Sequence, residues 1–263
     1  MTSVGATPAA PSAARRSMFA GRHVTLPSVL ASEWIKLRSL RSTFFGLLGA
    51  VVIIFAITPF DTRQGAAGLD GMYAAQVAIG MLGILIVTGE YTTGMIRSSF
   101  TAVPARAPVL VAKAAVFATV VFVVSLATAF VAFVFGAAAR ANRAHASLQT
   151  PGAQRAILAG AVYLTLLGLL AVGLGFLIRS TAGAIATLFC ILYALPILAL
   201  SLHYPNSVTL GRYLPFNALT QAITTNATLD GDYFGPWKGL VVTGVWALVA
   251  LVGGLVTVLR RNA

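Results

Sequence analysis

Six long apolar runs separated by short polar loops take up most of this chain, at residues 43–60, 71–89, 110–138, 156–178, 182–202 and 237–259. Each is long enough to cross an oily layer as a helix, which takes about 17 residues or more. The expected fold class is therefore all-α: a polytopic membrane protein with six transmembrane helices. Composition supports the same reading. Charged residues make up 9% of the chain, hydrophobic residues 58%, and mean hydropathy is +0.89. A soluble domain carries roughly a quarter charged residues, so a water-soluble fold of this length would lack a polar surface.

The net charge of +12 raises the possibility of a nucleic-acid partner. However, the basic residues form no stripe with interleaved aromatics. They collect at the ends of the apolar runs, as membrane topology requires. Cys190 is the single cysteine, so there is no disulfide framework and no CxxC pair. Residues 1–26 are rich in Ala, Pro, Ser and Arg and hold no apolar core of signal-peptide length. They read as a disordered cytoplasmic tail before one transmembrane domain, 27–263, whose first span is expected to serve as an uncleaved anchor.

If the runs alternate across a membrane, Lys and Arg divide unevenly. One side holds Arg15, Arg16, Arg22, Lys36, Arg38, Arg41, Arg97, Arg106, Lys113, Arg179, Arg260 and Arg261. The other holds Arg63, Arg140, Arg143, Arg155, Arg212 and Lys238. The richer side, with both termini, is expected in the cytoplasm. The loop 139–155 dissents, with three Arg on the poorer side.

Before the first span, Leu30, Trp34 and Leu37 recur at helical spacing, with Glu33, Lys36 and Arg38 mostly on other faces. This predicts an amphipathic helix over 28–41 with Ser28 as N-cap. It would lie in the interface with Trp34 at headgroup depth and Lys36 and Arg38 towards lipid phosphates. A plain basic flank is the simpler alternative. The third run, counted from Val109, makes about 45 Å of helix against a hydrocarbon core of about 30 Å, so part of it must tilt or project. Lys113 near its start places that start in the interface. In the loop 203–236, Pro215 and the apolar spacing through Ile223 predict a short helix on or dipping into the outer leaflet. No internal repeat is evident, which gives an inverted-repeat transporter no support.

The six acidic residues all fall outside the apolar runs: Glu33 and Glu90 on one side, Asp61, Asp70, Asp230 and Asp232 on the other. Ion-coupled carriers usually need an ionisable group near the bilayer midplane, so energy for uphill movement would have to come from another component. The chain contains no GxxxxGK[ST] motif, and His23, His145 and His203 are isolated, which leaves no P-loop, metal cluster or hydrolase set.

The loop between the second and third runs fits this gap. Glu90 closes the second span, and Thr92, Thr93 and Gly94 make a flexible turn. Met95 to Phe100 can form a short helix carrying Arg97, and Pro104 breaks the chain before Arg106. A short projecting helix is a shape that a partner's groove can grip. An ordinary basic connector, with Glu90 pairing Arg97, accounts for the same residues.

The pattern Glu90-x-x-x-Gly94-Met95-Ile96-Arg97, then Pro104-x-Arg106 and Lys113, resembles the cytoplasmic loop of ABC transporter permeases of the second exporter type. Glu33-Trp34-Ile35-Lys36-Leu37-Arg38-Ser39-Leu40-Arg41-Ser42-Thr43 resembles the start of actinobacterial members, and Tyr213-Leu214-Pro215 their external segment. The resemblance runs from about Ser28 to the end of the chain. It implies a permease subunit in a bacterial cell membrane that dimerises and binds two ATPase subunits, with ATP and Mg held by those partners and no cofactor by this chain. Glu90, Gly94, Met95, Ile96, Arg97 and Arg106 would then serve ATPase coupling, and residues 28–41 the connecting helix.

Candidates for a substrate path are the polar and aromatic residues within spans: Gln76, Tyr163, Thr165 and Tyr193. Such residues are more often interhelical hydrogen-bond groups than ligand contacts. Ala171-x-x-x-Gly175 reads as small-residue helix packing, and Pro196 as a kink in the fifth span. A membrane scaffold or immunity-type binding protein would share the spans without needing a gripped loop. An ion channel would need a charge ring or filter motif, and neither is seen.

Overall fold

The computed structural model describes residues 26–39, 41–60, 68–95, 106–139, 151–201, 211–225 and 234–260. These residues are helical, with no strand among them. The elements are α1 (Leu26–Ser39), α2 (Arg41–Ile57), α3 (Met72–Thr92), α4 (Arg106–Ala139), α5 (Ala153–Ile178), α6 (Thr181–Phe189), α7 (Leu195–Ser201), α8 (Pro215–Ile223) and α9 (Pro236–Arg260). A 3₁₀ turn, Thr58–Phe60, extends α2, and a second, Leu69–Gly71, leads into α3.

Among the described residues, five helices are long and apolar enough to cross a membrane: Leu69–Thr92, Ala107–Ala137, Ala153–Ile178, Thr181–Ala199 and Pro236–Arg260. α1 and α2 pass the same test only as a pair, bent by 66°, which makes six if the pair is one span. α2 has 17 residues, the short end of what a span requires. The outward faces fit an apolar surround. Along α9, Val241, Val245, Leu248, Val249 and Val252 are 50–66% exposed, where a helix facing water would carry charge.

α5 is the central post. It packs against α3, α4, α6, α8 and α9. About two-thirds (67%) of the α3 and α5 spans is buried in protein, against 28% for α9 and for the α6–α7 span. Without a hydrophobic drive between helices in lipid, close packing depends on small residues, and α5 supplies them. A β-carbon at Gly173 would fall 2.6 Å from the backbone of Ala250 and Leu251, so α9 crosses there almost backbone to backbone. On α5's other side, a β-carbon at Gly83 of α3 would fall 2.9 Å from Ala171 Cβ, and one at Gly175 would fall 2.9 Å from Val87. The expected small-residue motif is therefore the α3–α5 seam.

The fifth span is irregular at the expected proline. Pro196 has no N–H and crowds the preceding turn. The chain responds with a π-helical stretch at Cys190–Ala194, where Leu195 N–H donates to Cys190 O, five residues back. The helix thus widens by one residue and continues.

Three boundaries differ from expectation. α1 begins at Leu26 and ends at Ser39 rather than spanning 28–41. Ser28 therefore lies within the first turn, where Pro27 is sterically welcome. α3 runs past Glu90 to Thr92. α4, at 34 residues, is longer than the third apolar run and spans about 51 Å. The predicted tail and most of the loop 139–155 lie outside the described residues.

Candidate functional site

At the end of the molecule where α3 finishes and α4 starts, four charged side chains meet. Lys113 Nζ donates to Glu33 Oε2 at 2.6 Å and to Glu90 Oε1 at 2.8 Å. Lys36 Nζ donates to Glu33 Oε1 at 2.7 Å and lies 3.6 Å from Glu90 Oε1. Glu33, Glu90 and Lys113 are each 3–5% exposed. Among the described residues, two carboxylates and two ammonium groups make the cluster neutral, which is the condition under which buried charges persist. The cluster joins three elements: α1 through Glu33 and Lys36, α3 through Glu90, and α4 through Lys113.

The local sequence explains α1's orientation. Val29, Glu33 and Leu37 recur every four residues and form its buried face. Val29 packs on Val109 and Ala112 of α4, which carries Glu33 onto Lys113. Leu30, Trp34 and Ile35 stay exposed. This corrects the expected arrangement in two ways. Leu37 belongs to the protein-facing stripe rather than to the same face as Trp34. Lys36 turns inward to the carboxylates rather than outward to phosphates, while Arg38 stays exposed. The acidic pair is likewise outside the apolar runs in sequence but inside the fold in space.

α3 ends in a hydrogen-bonded cap. Thr93 N–H donates to Gly89 O at 3.1 Å and Thr93 Oγ1 to the same carbonyl at 2.8 Å. Gly94 then takes φ +71, a left-handed conformation that glycine adopts without a β-carbon clash. Met95 follows, 43% exposed. Ile96 and Arg97, and the expected short helix to Phe100, lie outside the described residues, as does the side chain of Arg106, whose backbone starts α4. Beside this end, Arg179 caps α5 with φ 59, donates to Thr257 O of α9 at 2.9 Å, and stacks 5.3 Å from the ring centre of Tyr91.

The opposite end holds an aromatic cleft. Gln76, fully buried on α3, bridges two tyrosines. Tyr163 of α5 donates to Gln76 Oε1 at 2.8 Å, and Gln76 Nε2 donates to Tyr193 Oη at 3.2 Å. Tyr193, in the π-helical stretch, then faces a cleft of about 390 Å³ lined by Asp70, Tyr73, Tyr193, Phe216 and Thr220. Tyr73 donates to Thr220 Oγ1 at 2.8 Å, which ties α3 to α8. The structure thus brings Gln76, Tyr163 and Tyr193 together. Thr165 is not with them; its hydroxyl donates to Ala161 O of its own helix.

Sequence reasoning missed the ion cluster and most of the cleft wall. The spacing Tyr73–Gln76 on α3 and Phe216–Thr220 on α8 puts aromatic and polar groups on one helix face, a weak signal. Which helices meet is not written in either spacing. No protein-family model matches the chain, and the comparison with curated proteins gives no match.

Proposed function

We propose that this chain is the membrane-spanning permease subunit of an ATP-driven ABC exporter, acting as a dimer with two separate ATPase subunits. The observation that carries the reading is the buried cluster of Glu33, Lys36, Glu90 and Lys113. It ties α1 to both helices that flank residues 96–105, the stretch on which the coupling resemblance falls. A load applied there meets three elements held by charge-assisted bonds rather than a loose connector. The hydrogen-bonded cap at Gly94 and the exposed Met95 supply a start for a gripped segment. α1, set at 66° to α2, fits a connecting helix in the interface.

On this reading ATP and Mg belong to the partner. ATP binding closes the ATPase pair, and the permease dimer shifts between two states to the extent that the partner binds one of them better. The charge asymmetry puts the clustered end and both termini in the cytoplasm of a bacterial cell. The test is co-expression with a P-loop ATPase that has no spans of its own. Purification of a stable two-to-two complex, with ATP-dependent solute movement after reconstitution, is the expected outcome. A permease that moves solute on a proton gradient alone, or one that never retains such an ATPase, overturns the reading in favour of a carrier or of a non-transporting scaffold.

A further inference from the structure

We propose that the cleft between α3, the π-helical stretch and α8 is a binding site for an uncharged ring compound that carries a carbonyl group. The hydrogen bonds behind the cleft set what it offers. Tyr163 is fully buried and donates to Gln76 Oε1, and Gln76 Nε2 donates to Tyr193 Oη. The reverse order would leave the Tyr163 hydrogen buried with no acceptor among the described residues, and an unmade buried bond costs the desolvation of its group. Burial therefore fixes the direction of the chain. The Tyr193 oxygen accepts from Gln76, and its own hydrogen has no acceptor among the described residues. Tyr193 lines the cleft, so that hydrogen is available to an acceptor placed there. A carbonyl oxygen supplies the lone pairs, which an ammonium group lacks.

Three rings form the walls. The Tyr73 and Phe216 ring centres lie 5.7 Å apart at 43°, and those of Tyr193 and Phe216 lie 5.7 Å apart at 58°. Rings tilted this way give a ligand ring both faces and edges to pack on, and their negative faces disfavour an anion. Asp70, also in the lining, already interacts within the protein, so recognition falls to the Tyr193 hydroxyl and the rings. The walls stand before any ligand arrives, because Gln76 holds Tyr193 and Thr220 holds Tyr73. Preorganised walls reduce the ordering cost of binding. Tyr193 belongs to the π-helical stretch, a rare geometry that recurs at functional sites. The cleft's volume of about 390 Å³ falls within the range of small-molecule sites. Binding requires neither an ATPase nor a second copy, so this site stands or falls separately from the exporter reading.

The test uses the full chain in nanodiscs of ether-linked lipid, which carries no carbonyl of its own, with empty nanodiscs to subtract partition into lipid. Benzophenone is the probe, and 1,1-diphenylethylene, with =CH2 in place of =O, is its isostere without the acceptor. Wild-type protein should bind benzophenone saturably and about three- to tenfold tighter than the isostere, the worth of one neutral hydrogen bond. Tyr193→Phe keeps the ring and removes the hydroxyl, so it should bring the two affinities together by weakening benzophenone alone. Phe216→Leu should weaken both ligands by about fivefold or more, because it removes a wall they share. Equal affinities in the wild type, a ketone preference that survives Tyr193→Phe, or tighter binding of phenyltrimethylammonium than of benzophenone overturns the proposal. If Tyr193→Phe does not fold, the wild-type ratio and Phe216→Leu decide, and unchanged benzophenone affinity in Phe216→Leu overturns it. A last arm repeats the titration in ester-linked lipid. An unchanged ketone preference supports a free solute, and its loss would hand the site to a lipid carbonyl and overturn the solute class.

Discussion

Lys113 stands between two carboxylates at 2.6 and 2.8 Å, and all three groups are buried. Removing the lysine alone would leave two buried anions with the partly exposed Lys36 as their one remaining cation among the described residues. Lys113→Met is expected to destabilise the fold by about 3–5 kcal/mol, the usual consequence of breaking a buried ion pair. The triple variant Glu33→Gln, Lys113→Met, Glu90→Gln removes all three charges together. It should recover most of that loss, because the buried positions then carry no charge and the one ammonium left, Lys36, is partly exposed and can turn to solvent. Unfolding by detergent titration measures both variants. A triple variant no more stable than Lys113→Met would mean that the cluster's worth lies in packing and not in charge. At Gly94, with φ +71, Gly94→Ala should cost about 1–2 kcal/mol through its backbone conformation alone.

At the scale of elements, α5 is where one substitution reaches furthest. Gly173 admits α9 to within a β-carbon's radius, and Gly254 on α9 packs back against Phe176. Gly173→Val would force the two helices apart along a seam that also holds Thr257 against the carbonyl of Phe176 at 3.2 Å. A loss of about 1–3 kcal/mol or more is expected, as for an overpacked core. Gly244, near only the distal methyls of Leu166 at 4.0 Å, is the control. Gly244→Ala should change thermal unfolding little. Equal sensitivity at the two positions would show that helix propensity, not the crossing, sets the effect.

The whole molecule sorts its described charges by end. Lys36, Arg38, Arg41, Lys113, Arg179 and Arg260 lie at or near the end marked by the ion cluster, whereas Arg155, Arg212 and Lys238 lie towards the other. Reporter fusions after Arg106 and after Asp232 should therefore report opposite sides of the membrane, the first cytoplasmic. A same-side result would remove the topology. With that topology, Met95→Asp together with Ile96→Asp puts charge on the segment proposed for ATPase docking and leaves the apolar spans untouched. Normal insertion with loss of ATPase co-purification is expected, since an unpaired charge in an apolar interface costs several kcal/mol. A double variant that keeps its ATPase and its transport would move the grip elsewhere, with α1 the first place to look.

What the sequence determined by itself is what depends on neighbours in the chain. Apolar runs longer than a bilayer's core specify helices, Pro215 marks the start of α8, Pro196 requires a local irregularity, and Ala171 and Gly175 lie four apart on one helix face. Each follows from backbone hydrogen bonding and helical period, which are local. The tertiary structure alone decided which faces meet. Glu33 and Lys113 are 80 residues apart and Gln76 and Tyr193 are 117 apart, and no spacing rule reaches that far. The same limit explains why Lys36 was expected at the lipid. Its position on the helical wheel leaves it free to face phosphate or carboxylate. Only the seating of Val29 on Val109 and Ala112, with Glu33 and Glu90 beside it, selects the carboxylates, because a buried acidic pair must be neutralised within the protein.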